Sequence, residues 1–139
     1  MAVQRFLLRF EGKVSPQDEM GEQMGIESSA TLGPGCDEAL GAAGTKAEFN
    51  ALVTNEPDGS FTLQGEVVLP AGTLAVSTVR PSSLDETPDP AIQSGTAECH
   101  VDSGTGKLAG ASGTMMLTFT VDEDARFVGL AAGLVFAAG

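Results

Sequence analysis

Chemistry that depends on histidine or cysteine has little to work with in this chain. There is one histidine, His100, and two cysteines, Cys36 and Cys99, stand 63 positions apart. Structural zinc ligands usually arrive in closely spaced pairs, so no metal centre is expected. A cytosolic protein normally keeps its thiols reduced, but a Cys36–Cys99 disulfide stays open on sequence alone. Basic residues are scarce as well. Seven Lys and Arg face nineteen Asp and Glu, for a formal net charge of −12. That field repels phosphate backbones and anionic headgroups, which argues against nucleic acid and membrane surfaces as partners.

Long apolar runs are also missing. Nothing approaches the ~18 consecutive apolar residues of a membrane-spanning helix. The apolar run in "MAVQRFLLRFEGK" is broken by Arg5 and Arg9, and no small-residue cleavage site follows it. A cytoplasmic location is the expectation. No convincing amphipathic helix appears either.

What is present is the two-residue period of strands. In "VQRFLLRFEGKV" (3–14), Phe6, Leu8 and Phe10 share one face, and Arg5, Arg9 and Lys13 lie on the other with Leu7 and Glu11. Strand-like runs return at 46–54, 60–70 and 72–80, with "NEPDG" and Pro70-Ala71-Gly72 as corners, and again at 96–102, 114–121 and 126–139. The last run, "RFVGLAAGLVFAAG", fits strand or helix by hydrophobicity, and its Val and Phe content favours strand. Residues 15–45 are rich in Gly, Ser, Pro and acidic side chains and read as a long connection, either a lid or a linker, with room for one short strand or turn. Residues 81–95 hold three of the seven prolines and read as a rim loop.

A chain of 139 residues with a 42% hydrophobic fraction has enough material for one core. The fold expected is all-β: a single domain over 1–139, forming a small closed antiparallel barrel of about eight strands, lipocalin-like in shape. A barrel is favoured over a sandwich because closure removes exposed strand edges.

"SGTGKLAGASGT" (103–114) invites comparison with phosphate-binding loops. A Walker loop needs a glycine five positions before its Gly-Lys and a Ser or Thr after it; Gly106-Lys107 has Val101 and Leu108 at those places. The glycines run Gly104-x-Gly106-x-x-x-Gly110, one residue too long for a dinucleotide fingerprint, and a strand rather than a helix follows. A hairpin corner is the better reading.

The same stretch, with Gly104, Gly106, Leu108, Gly110, Ala111 and Gly113, resembles the glycine signature of the allene oxide cyclase-like barrel superfamily. Upstream, "DGSFTLQGEV" is similar to that family's equivalent strand, and the two blocks span about residues 46–136. The superfamily includes allene oxide cyclases, plant dirigent proteins and spirotetronate cyclases. The resemblance implies a barrel with an apolar lumen, no cofactor, and a homodimer or homotrimer. Allene oxide cyclases carry Glu and Asn just before a Ser-Pro pair; here Ser15-Pro16 is preceded mostly by apolar and basic residues, with only Glu11 nearby.

Alternation turns Phe49, Phe61, Leu63, Leu74, Val76, Cys99, Met115, Leu117 and Phe119 inward. They form either a filled core or a pocket for a small apolar molecule. In a pocket, catalysis would rest on holding a flexible chain in a reactive fold, as in intramolecular Diels–Alder closure. The alternative is a binding protein that leaves its ligand unchanged. Candidate acid–base groups are few. His100 falls on the polar face opposite Cys99, and Glu66 enters the lumen only if a bulge at Gly65 reverses the register.

Overall fold

A computed structural model describes residues 2–137. The long strands are β1 (Ala2–Pro16), β2 (Gln23–Thr31), β3 (Lys46–Asn55), β4 (Ser60–Leu69), β5 (Gly72–Thr78), β8 (Ile92–Gly104), β9 (Ser112–Asp122) and β10 (Arg126–Ala137). Two short strands, β6 (Ser82–Ser83) and β7 (Asp85–Glu86), lie between them. The order β3-β2-β1-β10-β9-β8-β5-β4 returns to β3 through a β3–β4 ladder, so the eight long strands close into an antiparallel barrel. Met1, Ala138 and Gly139, the last two at the end of the run expected as the final strand, lie outside the described residues.

Closure depends on β1, which pairs with β10 over residues 2–13 and with β2 over 11–16. At the handover stands Gly12, where a Cβ would collide with the Glu27 carbonyl oxygen. Only a residue without a side chain lets the two backbones approach this closely.

The inner face of β10 consists of Phe127, Gly129, Ala131, Gly133, Val135 and Ala137. Its glycines leave room for large neighbours: the Phe6 ring lies where a Gly133 Cβ would stand, and the Phe127 ring does so at Gly129. Small inward residues on one strand thus accommodate large ones from others. Phe10, Phe49, Phe127, Phe119 and Phe61 form a continuous chain of rings, with successive centroids 5.6, 6.4, 5.7 and 5.9 Å apart.

The expected connection over 15–45 needs correction. β1 runs on to Pro16, and Gln23–Thr31 is a full wall strand, β2. Its inward residues are Ile26, Ser28 and Ala30. Two of these three side chains are small and one is polar, so alternation carried almost no hydrophobic contrast. The remainder, 32–45, folds over one barrel end through the 3-10 turn η1 (Glu38–Leu40), which buries Leu40. The glycine-rich corner adds a second turn, η2 (Gly106–Leu108), which buries Leu108. Both are tied to the β4–β5 corner: the Ala71 N–H donates to the Leu40 carbonyl at 3.1 Å, and the Ala71 carbonyl accepts from the Lys107 N–H at 2.9 Å. Gly106 and Gly110 have φ of 62° and 78°, the left-handed conformation that glycine adopts without steric cost.

Candidate functional site at the open end of the barrel

The nine residues expected to face inward do so, with exposures of 0–6%. They belong, with the phenylalanine chain, to one cluster of buried residues. Among the described residues, Ser28 is the only buried polar or charged one, and its hydroxyl donates to the Phe49 carbonyl at 2.8 Å. Burial pushes the Cys99 thiol up from 9.0 to about 11, with the charges of Asp102 and Glu98 adding to the effect. A thiol held protonated in this way is a poor nucleophile. Cys36, on the connection 32–45, is also free, its sulfur 3.6 Å from the Leu7 carbonyl.

Neither acid–base candidate reaches the interior. The β3–β4 register is continuous through Ala51↔Gly65 and Asn50↔Glu66, so no bulge at Gly65 reverses the faces and Glu66 points outward. The register shift falls instead in the β5–β8 ladder, between Ala75 and Val76. His100 is exposed on the outer face of β8, separated from Glu66 by β5. Glu66 borders an open groove of about 1370 Å³ on the outer wall, along with Glu11, Lys13, Glu27, Lys46 and Asn50. This groove is open to solvent and lined by charges of both signs.

A more enclosed concavity lies at the end opposite η1 and η2. Here β5 leads into residues 79–91, which carry β6 and β7, and then into β8. The expected rim loop 81–95 is therefore partly strand, and its last four residues belong to β8. Leu84 leans over the core at Gly95, where an added Cβ would meet the Phe119 ring at 2.6 Å and the Leu84 side chain at 3.3 Å.

Beside this contact is a cleft of about 380 Å³, bounded by Glu86, Ile92, Gln93, Val121, Asp122 and Glu123 together with residues of the rim loop. The paired residues Gly95↔Phe119 and Gln93↔Val121 share the inner face, and Val121, which lines the cleft, packs against the core. The loop above it is braced locally. The Thr87 hydroxyl lies 2.8 Å from the Asp89 carbonyl and 2.9 Å from that of Ile92, and it accepts from the Asp89 N–H at 3.2 Å. Asp122 is occupied by the β9–β10 turn, accepting the N–H groups of Asp124 and Arg126 at 2.9 Å each. Glu86 and Glu123 are exposed at the rim and free to meet a polar group on a ligand.

The alternation pattern pointed to the core but not to this cleft, because its walls come from β7, β8, the end of β9 and a proline-rich loop that meet only on folding. The three prolines of 81–95 were the one available signal.

No family model matches the chain, and no curated protein matches it. A solved structure described as the pterocarpan synthase dirigent protein GePTS1 superposes on 99% of this chain and 89% of its own, with a TM-score of 0.69 and 13% sequence identity. The chain therefore has the closed eight-stranded barrel fold found in a dirigent protein. Among the described residues, no helix is long and apolar enough to cross a membrane.

Proposed function

We propose that the protein binds a small, largely apolar molecule at the open end of the barrel and directs its ring closure without a cofactor. The asymmetry between the ends carries this reading: one is covered by turns that bury Leu40 and Leu108, and the other presents a cleft lined by Ile92 and Val121 with carboxylates at its rim. The fold shared with a dirigent protein named as a pterocarpan synthase is consistent with it.

Since no carboxylate or histidine among the described residues faces the barrel interior, catalysis would come from restricting the conformations of a flexible substrate. Orientation of reacting ends alone can contribute several kcal/mol to a unimolecular closure, on the order of 7–11 in well-oriented systems. An intramolecular Diels–Alder closure of a polyketide-like chain is the step that asks least of the protein. The test is incubation with linear precursors bearing a diene and a dienophile. The reading predicts a single enantiomeric series of cyclic product, lost when Val121→Asp places a charge on the cleft floor. A racemic product formed at the buffer rate across the panel would count against it.

The same cleft of about 380 Å³ accommodates a second reading, a binder that leaves its ligand unchanged. Stoichiometric binding with quantitative recovery of every precursor would select that reading.

A further inference from the structure

The two ends of the barrel differ in charge as well as in shape. The connections at the open end, 17–22, 56–59, 79–91 and 123–125, carry ten of the nineteen Asp and Glu residues. Those at the sealed end, 32–45, 70–71 and 105–111, carry two, Asp37 and Glu38. The open-end connections hold one base, Arg80, and its guanidinium already donates to Glu98 on the outer wall at 2.7 Å. Lys13 and Arg126 oppose each other across β1 and β10, outside the lining of the cleft.

Turn geometry accounts for part of this acidity. Asp18 accepts the Glu22 N–H, Asp58 the Ser60 N–H and Asp89 the Ala91 N–H, as Asp122 does for its own turn. Aspartates in such places hold the chain through a bend. Glu86 and Glu123 are different. Both border the cleft, and neither takes part in the two side-chain ion pairs among the described residues, Arg9–Glu11 and Arg80–Glu98. They flank the start of β8: Glu86 pairs with Gln93 from β7, and Glu123 follows Asp122, which pairs with Ile92 from β9. Two strand spacings of ~4.8 Å set them roughly 10 Å apart. The lining between them holds no Lys, Arg or His. Among the described residues no three carboxylate, His or Cys groups converge to hold a metal ion, so the pair suits an organic cation better than a metal.

We propose that the cleft selects an apolar molecule bearing a protonated amine, its body on Ile92 and Val121 and its ammonium group between Glu86 and Glu123. The inference rests on the cleft being the binding site and adds the class of molecule it takes. A carboxylic acid of the same shape is repelled by the same two groups, and the acidic end as a whole steers cations toward the mouth. One exposed ion pair contributes little, but reversing the ligand's sign turns two attractions into two repulsions.

Three probes that share one ring system test it: 1-naphthylmethylamine, 1-naphthylmethanol and 1-naphthylacetate, titrated at neutral pH and followed by amide NMR shifts. At an ionic strength of about 10 mM the amine is expected to bind at least about tenfold more tightly than the acetate, with the alcohol between them, and at about 1 M the gap should close. Glu86→Gln with Glu123→Gln should weaken the amine and tighten the acetate, opposite movements that a loss of folding would not produce. Glu19→Gln with Glu22→Gln changes the net charge equally, from the 17–22 turn, and should keep most of the preference. Binding of the alcohol at Ile92, Gln93 and Val121 with no preference for the amine over the acetate would overturn the proposal and leave the binding site standing. So would a preference abolished equally by the two double variants, since net charge alone would then explain it. No binding of any probe at those residues would overturn both the proposal and the reading beneath it.

Discussion

At the sealed end, two glycine-containing connections turn Leu40 and Leu108 into the core, whereas at the open end the proline-rich segment 79–91 leaves Leu84 40% exposed. The difference lies in where each loop is tied to the barrel. The sealed-end turns are linked to each other through both polar groups of Ala71, at the β4–β5 corner, so they fold down onto the barrel end. The open-end loop is tied along the wall, with β6 on β4 and β7 on β8, and its tip is braced by Thr87 and Asp89, so it stands as a rim. Loops of similar polarity thus become a plug or a mouth according to where their bonds to the barrel fall.

That contrast can be broken by mutation. Phe49→Ala removes a ring from the layer beneath both ends and is expected to cost about 3–5 kcal/mol in urea unfolding. Leu40→Ala, at the plug, should cost about 2–5 kcal/mol. Leu84→Ala, at the mouth, should stay within roughly 1 kcal/mol, as for partly exposed side chains generally. Equal losses at Leu40 and Leu84 would mean that the two ends are not distinct.

Backbone geometry gives a smaller effect. Gly110 has a φ of 78° and open space around it, so Gly110→Ala tests the plug corner through strain alone, about 1–2 kcal/mol.

The core shared by the ends also responds to pH. Cys99 keeps its proton to about pH 11 in the folded chain but to about 9.0 when exposed on unfolding. Between those values the native state binds more protons than the unfolded state, so stability present below pH 9 is lost as the pH rises toward 11. Cys99→Ala should flatten that part of the pH–stability curve. A thiol reagent at neutral pH should leave Cys99 unlabelled until the protein unfolds.

Much of the barrel could be read from alternation. Seven of the eight wall strands were expected near their observed places, and all nine inward candidates are in the core. β2 escaped notice because Ser28 and Ala30 give its inner face little hydrophobic contrast. The site was less legible. Alternation identified the most buried residues, and in a barrel this narrow burial means filling. Glu66 and His100 stood out as titratable residues within strands, yet an unbroken register puts Glu66 on the outer wall. The cleft depends on how Leu84, Glu86 and Gln93 meet across β7 and β8, a non-local pairing without a sequence period.

The most direct test of the open-end account is an NMR titration with N-phenyl-1-naphthylamine, a neutral apolar probe that the acidic rim does not repel. Shift changes confined to Ile92, Gln93, Val121 and their neighbours, with Leu40 and Leu108 unmoved, are the predicted result. Saturable changes at the sealed end, or no saturable binding at either end, would contradict it.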